Sequence, residues 1–242
     1  MKHPLFPQSI GTIPNAASLA HYIKATPTLF QNGLFVITAH PSERHIIARL
    51  LPHFYPERSH PTILEWNGEI QTLPHLSQYD IVVADQKTIE HALLPAPATL
   101  NRQTIHVQID DTLSLQTLIE KIVDSGFERD TTATRAETFA VRGDILDIHI
   151  DQLYRLSFFG DSVESIATVD HNGQSTPFSL PLKIAPRNSK GRSTFFDYIP
   201  PHVAVLLFDT DLPENSLTEN ILIRASRLAV PEEKNGSVVN PP

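Results

Sequence analysis

Three arginines flank strand-like runs in the middle of the chain: Arg129 in "GFERD", Arg142 in "TFAVRGDILDIHI" and Arg155 in "LYRLSFFGD". A guanidinium is planar and permanently charged, so it can pair both oxygens of one carboxylate. Arginines carried on a small exposed sheet therefore suit anchoring of a carboxylate-bearing partner. The plainer role for them is solvation, with bridges to Glu128, Glu137 or Asp144. Gly143 and Asp144 follow Arg142 directly. Ahead of them Phe139 and Val141 share one face, with Ala140 and Arg142 on the other. Behind them Leu146, Ile148 and Ile150 alternate one residue out of phase. Side chains alternate with period two, so a phase change marks a turn or a bulge. Gly-Asp tolerates the backbone angles of a tight hairpin, and "SFFGDSVESI" repeats the arrangement about one hairpin further on. The candidate partner-binding set is thus Arg129, Arg142, Gly143, Asp144 and Arg155.

Other chemistries fail on spacing. The chain has twelve histidines, and His40, His45, His53 and His60 crowd one region. None forms HExxH or another pair that would set two imidazoles on one helical face. Asp144, Asp147 and Asp151 lie near the first turn, two of them bordering turns, and capping and solvation account for them better than acid–base work. There is no GxSxG and no cysteine, hence no thiolate nucleophile and no disulfide framework. GxxxxGK[ST] is absent too; "TAHPSER" offers no glycine, and "SKGRST" has the right residues in the wrong order. The expectation is a chain with no catalytic residue, no cofactor and no metal. A formal net charge of −8 argues against a dedicated nucleic-acid module, and the basic loop from Lys183 to Arg192 is a poor DNA site on that balance. No run of about 18 apolar residues is present, and the first residues lack a signal-peptide core. A soluble, cytoplasmic protein is expected.

These residues must be held by elements of two textures. "LFVITA" and "DIVVAD" are continuous apolar runs, the pattern of strands buried on both faces. Between them lie a helix from Pro41, with Ile46, Ile47, Leu50 and Leu51 on one side, and a short strand in "TILEWN". Helices are expected in "NAASLAHYIKA" and "QKTIEHALL". Strand and helix in alternation point to a parallel sheet. "LLPAPATLNRQ" reads as a linker. After it, Leu115, Leu118, Ile119, Ile122 and Val123 mark an amphipathic helix ending at Gly126. The β-rich stretch behind that helix suggests one helix on a small antiparallel sheet. "KIAPRNSKGRST" is a polar, basic loop, and Val203 to Phe208 return to the buried-strand pattern. A single strand cannot bury both faces alone, so it is expected to rejoin the first sheet. The division is 1–101 and 183–228 as two halves of one discontinuous α/β domain, 102–182 as an inserted α+β domain, and 229–242 as a disordered tail.

The segment from Gly126 to Asp170 resembles the small inserted domain shared by the excision-repair protein UvrB and the bacterial transcription-repair coupling factor. The family pattern places F-x-V-R-G-D/G-[IV]-[LIV]-D-[IV] before R-[IL]-x-F-F-G-D-x-[IV]-E-S-I, and both stand here in that order. "YDIVVAD" and "STFFDYIPPHVAVLLFD" resemble the flanking half-domains. The resemblance implies a degenerate P-loop-NTPase-like sheet without a Walker A motif, a non-enzymatic chain, and an inserted domain that docks onto UvrA. It carries UvrA contact to Arg142 and Arg129 by position. Ala140 stands where UvrB-type sequences carry a further arginine, and Ser157 where they carry glutamate, so "FAVRG" is closer to the coupling factor. The implied function is a non-catalytic module recruiting UvrA. The alternatives are a diverged UvrB-type subunit working with a separate motor chain, and a structural or autoinhibitory module packed on motor domains.

Overall fold

The computed structural model describes residues 8–13, 15–25, 33–53, 61–210, 212 and 220–227. The expected tail and His60 lie outside these residues. The first part supplies β1 (Gln8–Ile13), α1 (Ala16–Ala25), β2 (Leu34–Thr38), α2 (Pro41–His53), β3 (Ile63–Glu65) and β4 (Ile81–Asp85), followed by α3 (Gln86–His91) and α4 (Pro97–Gln103). Every residue of β2 and β4 is buried, as their unbroken apolar runs require. Leu34, Val36, Ile81 and Val83 pack against Leu19 and Ile23 of α1 and Ile47 and Leu51 of α2. Their neighbours Phe35, Ile37, Val82 and Ala84 face the other way, toward Leu73, Leu76 and Phe195. Trp66 stacks on Phe195 with ring centroids 4.1 Å apart.

Two local expectations change. Ile46 is half-exposed rather than on the buried side of α2, because the core stripe runs through Ile47 and Leu51. The stretch read as a linker contains α4, which starts at Pro97; proline's fixed φ suits a first helical turn, where its missing N–H costs nothing.

The middle part comprises β5 (Ile105–Val107), α5 (Leu115–Asp124), β6 (Glu128–Arg129), β7 (Thr138–Arg142), β8 (Ile145–His149), β9 (Leu153–Phe159), β10 (Ser162–Val169), β11 (Ser175–Pro177) and β12 (Leu182–Ile184). A six-stranded sheet runs in the order β11-β10-β9-β8-β7-β6. It is not wholly antiparallel: edge strand β6 pairs with β7 in parallel, since the loop between them passes back along the sheet. Ser114 caps α5, its hydroxyl accepting from the Thr117 N–H at 3.1 Å. Leu118 and Ile122 of this helix pack on Phe139, Leu146, Ile148, Tyr154 and Leu156. β5 and β12 form a separate antiparallel pair, where the chain enters and leaves this region.

Two last strands, β13 (Ala204–Phe208) and β14 (Ile221–Arg227), belong to the first sheet. It is parallel throughout, in the order β1-β14-β13-β2-β4-β3. β13 lies against β2 from Ala204↔Leu34 to Phe208↔Thr38, and β14 and β1 cover its other edge. Polar contacts link the segment before β4 to the middle part of the chain. Tyr79 donates its hydroxyl to Asp151. His75 Nε2 donates to the Lys183 carbonyl at 2.6 Å, and Lys183 Nζ donates to the Pro74 carbonyl at 3.1 Å. Among the described residues, no helix is long and apolar enough to cross a membrane.

Candidate partner-binding face

The two Gly-Asp pairs form tight hairpins. Arg142 pairs with Ile145 across Gly143-Asp144, and Phe159 with Ser162 across Gly160-Asp161. Gly143 and Gly160 have φ of +60° and +59°, a region where a side chain would be strained. The change of phase in the sequence is therefore the turn itself. Val141 and Leu146 remain opposite one another on the α5 side, and the hairpin continues as Phe139↔Ile148.

With one face of the sheet closed by α5, alternation sends the remaining residues to the other face. Register defines two rows there. One runs Arg142, Ile145, Ser157 and Ser165; the next runs Ala140, Asp147, Arg155 and Ala167. Ala140 and Asp147 are buried, so the accessible part of this face is made by Arg142, Arg155 and Ser165, with Ile145, Ser157 and Ala167 partly exposed. Phe159 continues β9 on this same face and is 80% exposed, whereas its neighbour Phe158 is buried beneath the sheet.

The predicted residues differ in their surroundings. Arg142 is exposed at the end of β7, with one long hydrogen bond of 3.4 Å from Nη2 to the Thr131 carbonyl. Gly143 and Asp144 are exposed at the turn, and the Asp144 carbonyl accepts from the Phe158 N–H at 2.9 Å. Arg155 is half-buried and grips Asp147 side-on, Nε to Oδ1 at 2.7 Å and Nη2 to Oδ2 at 2.8 Å. These bonds raise the guanidinium pKa further, against a smaller opposing effect of burial. Arg129 is exposed but registers with Phe139, on the opposite parity from Arg142. Register thus brings Arg142 and Arg155 to one face and sets Arg129 apart at the sheet edge.

The expected carboxylate bridges are corrected here. Glu128 and Glu137 bind Arg187, at 2.9 Å and 2.5 Å, rather than any of the three arginines. The acceptor for Arg155 is Asp147, which is neither a cap nor solvated; its side chain is only 6% exposed. Phe159 also went unnoticed as a site residue. The signal was available, because adjacent residues of one strand cannot both point into the same core.

The carboxyl ends of the parallel strands hold a different arrangement. Arg44 of α2 donates to Asp85 at 2.6 Å and to Glu65 at 3.1 Å, in a cleft where "TAHPSER" leads from β2 into the helix. Asp85 has no side-chain exposure and also accepts from the Thr88 N–H and hydroxyl at 2.9 and 2.7 Å. Among the described residues, no three His, Asp or Glu side chains come together as a metal site.

Comparison with known proteins concentrates on the middle of the chain. The family model described as UvrB interaction domain matches residues 105–188. UvrABC system protein B of Oleidesulfovibrio alaskensis is 30% identical over 114 residues, covering 43% of this chain and 17% of that protein. The same protein of Anaplasma phagocytophilum is 33% identical over 116 residues, 44% of this chain and 18% of its own length. A transcription-repair-coupling factor of Myxococcus xanthus is 26% identical over 134 residues, 54% of this chain and 11% of its own. The matched stretch thus spans less than a fifth of each of these relatives. The two arginine-bearing hairpins lie wholly within residues 105–188, and that part of the chain matches the UvrB interaction domain, in sequence similar both to UvrB proteins and to a transcription-repair-coupling factor.

Proposed function

We propose that this chain is a non-catalytic interaction module of the kind found in a transcription-repair coupling factor, and that it recruits UvrA in the cytoplasm through the open face of its middle sheet. The observation that carries this reading is the convergence of Arg142, Arg155 and Phe159 on one face, within the segment matched to the UvrB interaction domain. Such a face combines what interface anchors need: directional cations and an exposed aromatic side chain. The chain's organisation follows the same reading. A P-loop-NTPase-like sheet lacking Walker A is interrupted after residue 101 and resumed from 183, and the pairing of β13 with β2 supports it.

A second reading, a diverged UvrB-type subunit acting with a separate motor chain, draws support from identities of 30% and 33% to UvrB proteins against 26% to the coupling factor. The broader coverage of the coupling-factor match, 54% of the chain, favours the first. Both share the UvrA-facing surface. Calorimetry of the full chain with purified UvrA tests it, wild type beside Arg142→Ala. Truncating an arginine that anchors a desolvated charge pair weakens binding by about 2–5 kcal/mol. A wild type that does not bind UvrA overturns the proposal, and undiminished binding by Arg142→Ala overturns this placement of the site.

A further inference from the structure

The side-on pair between Asp147 and Arg155 has a consequence beyond its contribution to folding, and it rests on the UvrA-binding reading above. We infer that Asp147 is a positioning residue for partner binding: it fixes the Arg155 guanidinium in one orientation on the open face before the partner arrives.

The geometry is specific. Asp147 stands in the middle of β8, directly between Ala140 on β7 and Arg155 on β9. Its carboxylate is nearly sealed, while the Arg155 side chain keeps 32% of its surface exposed. The two bonds at 2.7 and 2.8 Å engage Nε and Nη2. They leave Nη1 and the second N–H of Nη2 without a partner among the described residues. A guanidinium is a rigid fork, so fixing its Nε edge also fixes the direction of the Nη1 edge. A half-exposed arginine would otherwise lose several rotors on binding, at a cost in affinity. Here the two bonds to Asp147 already hold the guanidinium without a partner present. The small side chain of Ala140, 1% exposed, brings no second cation to the carboxylate, so Asp147 serves Arg155 alone. Arg142 has no such support, only the long bond to Thr131, and is the adaptable member of the pair.

The test uses the full chain, purified UvrA, and the variants Asp147→Asn, Arg155→Ala, Arg155→Lys and the double Asp147→Asn/Arg155→Ala. Affinity is read by calorimetry and folding by thermal midpoint. Asp147→Asn nearly preserves shape but weakens the fork, and should raise Kd about two- to tenfold, the scale of ordering one long side chain. Arg155→Lys retains charge without the fork and should lose most of what Arg155→Ala loses. The double variant should bind no worse than Arg155→Ala, because a positioning residue has nothing left to position.

An equal loss from Asp147→Asn in the Arg155→Ala background overturns the inference and makes Asp147 merely structural. So does unchanged affinity in Asp147→Asn while Arg155→Ala is impaired. If Asp147→Asn fails to fold, Arg155→Lys decides alone: binding equal to wild type overturns the inference. Failure of the wild type to bind UvrA is a different result, and removes the underlying functional reading with it.

Discussion

Phe159→Ala separates folding from recognition. Phe159 is 80% exposed at the tip of the second hairpin, so truncation removes almost no packing from the free chain. Exposed substitutions of this kind shift stability by about 0.5 kcal/mol or less. The ring stands on the same face as Arg142 and Arg155, and a partner seated there would cover it. Complete burial of a phenylalanine side chain is worth roughly 1.5–3 kcal/mol. With four-fifths of the surface still to be buried, the expected loss in binding is about 1.2–2.4 kcal/mol, roughly eightfold to sixtyfold in Kd. Titration of UvrA into wild type and variant, with a urea melt of each, measures both quantities. Phe158→Ala is the matched control: Phe158 is 5% exposed, and its loss should cost about 3 kcal/mol or more of stability. If Phe159→Ala binds UvrA as the wild type does while remaining folded, the open face is not where the partner sits.

Three further outcomes follow from the fold. Arg44→Ala leaves Asp85 buried without its cation and should cost about 3 kcal/mol in a urea melt, with part of the loss recovered in Arg44→Ala/Asp85→Asn; a loss below about 1 kcal/mol would mean that the Thr88 bonds suffice. Tyr79 and Tyr154 are held above the ordinary tyrosine pKa by burial first and Asp151 second, and Tyr198 is pushed up to about 12 by burial and then Asp197. The folded chain therefore keeps protons that the unfolded chain releases near the ordinary value of 10.0. Their stabilisation is complete below that pH and is lost as pH rises above it, and Tyr79→Phe should flatten the alkaline slope of stability. Gly143→Ala should cost about 1–2 kcal/mol through its positive φ, with Gly143→Asn milder; equal stability of the two variants would argue against that backbone.

Much of the architecture was legible because it is periodic. The runs in β2, β4 and β13 announced strands buried on both faces, and the stripe from Leu115 to Ile122 announced α5. The two Gly-Asp pairs announced hairpins, since few dipeptides accept those backbone angles. α4 was hidden by prolines and alanines that read as a linker, although a proline at the start of a helix is compatible with it. The same periodicity separates Phe158 from Phe159 and sets Phe159 on the face of Arg155, though only the register of β7, β8 and β9 brings Arg142 to that face.

The sequence by itself determined the local conformations and the alternation of faces, because both depend on residues a few positions apart. It also carried the paired motifs on which the resemblance rests. Tertiary structure alone decided which side chains meet. Asp147 faces Arg155 because β8 and β9 pair in one register, Glu128 and Glu137 are taken by Arg187 from far along the chain, and β13 lies beside β2. Charge and spacing supply candidates for each arginine, but a guanidinium discriminates among carboxylates over a few ångströms. Only strand register and packing between segments distant in sequence set distances that small.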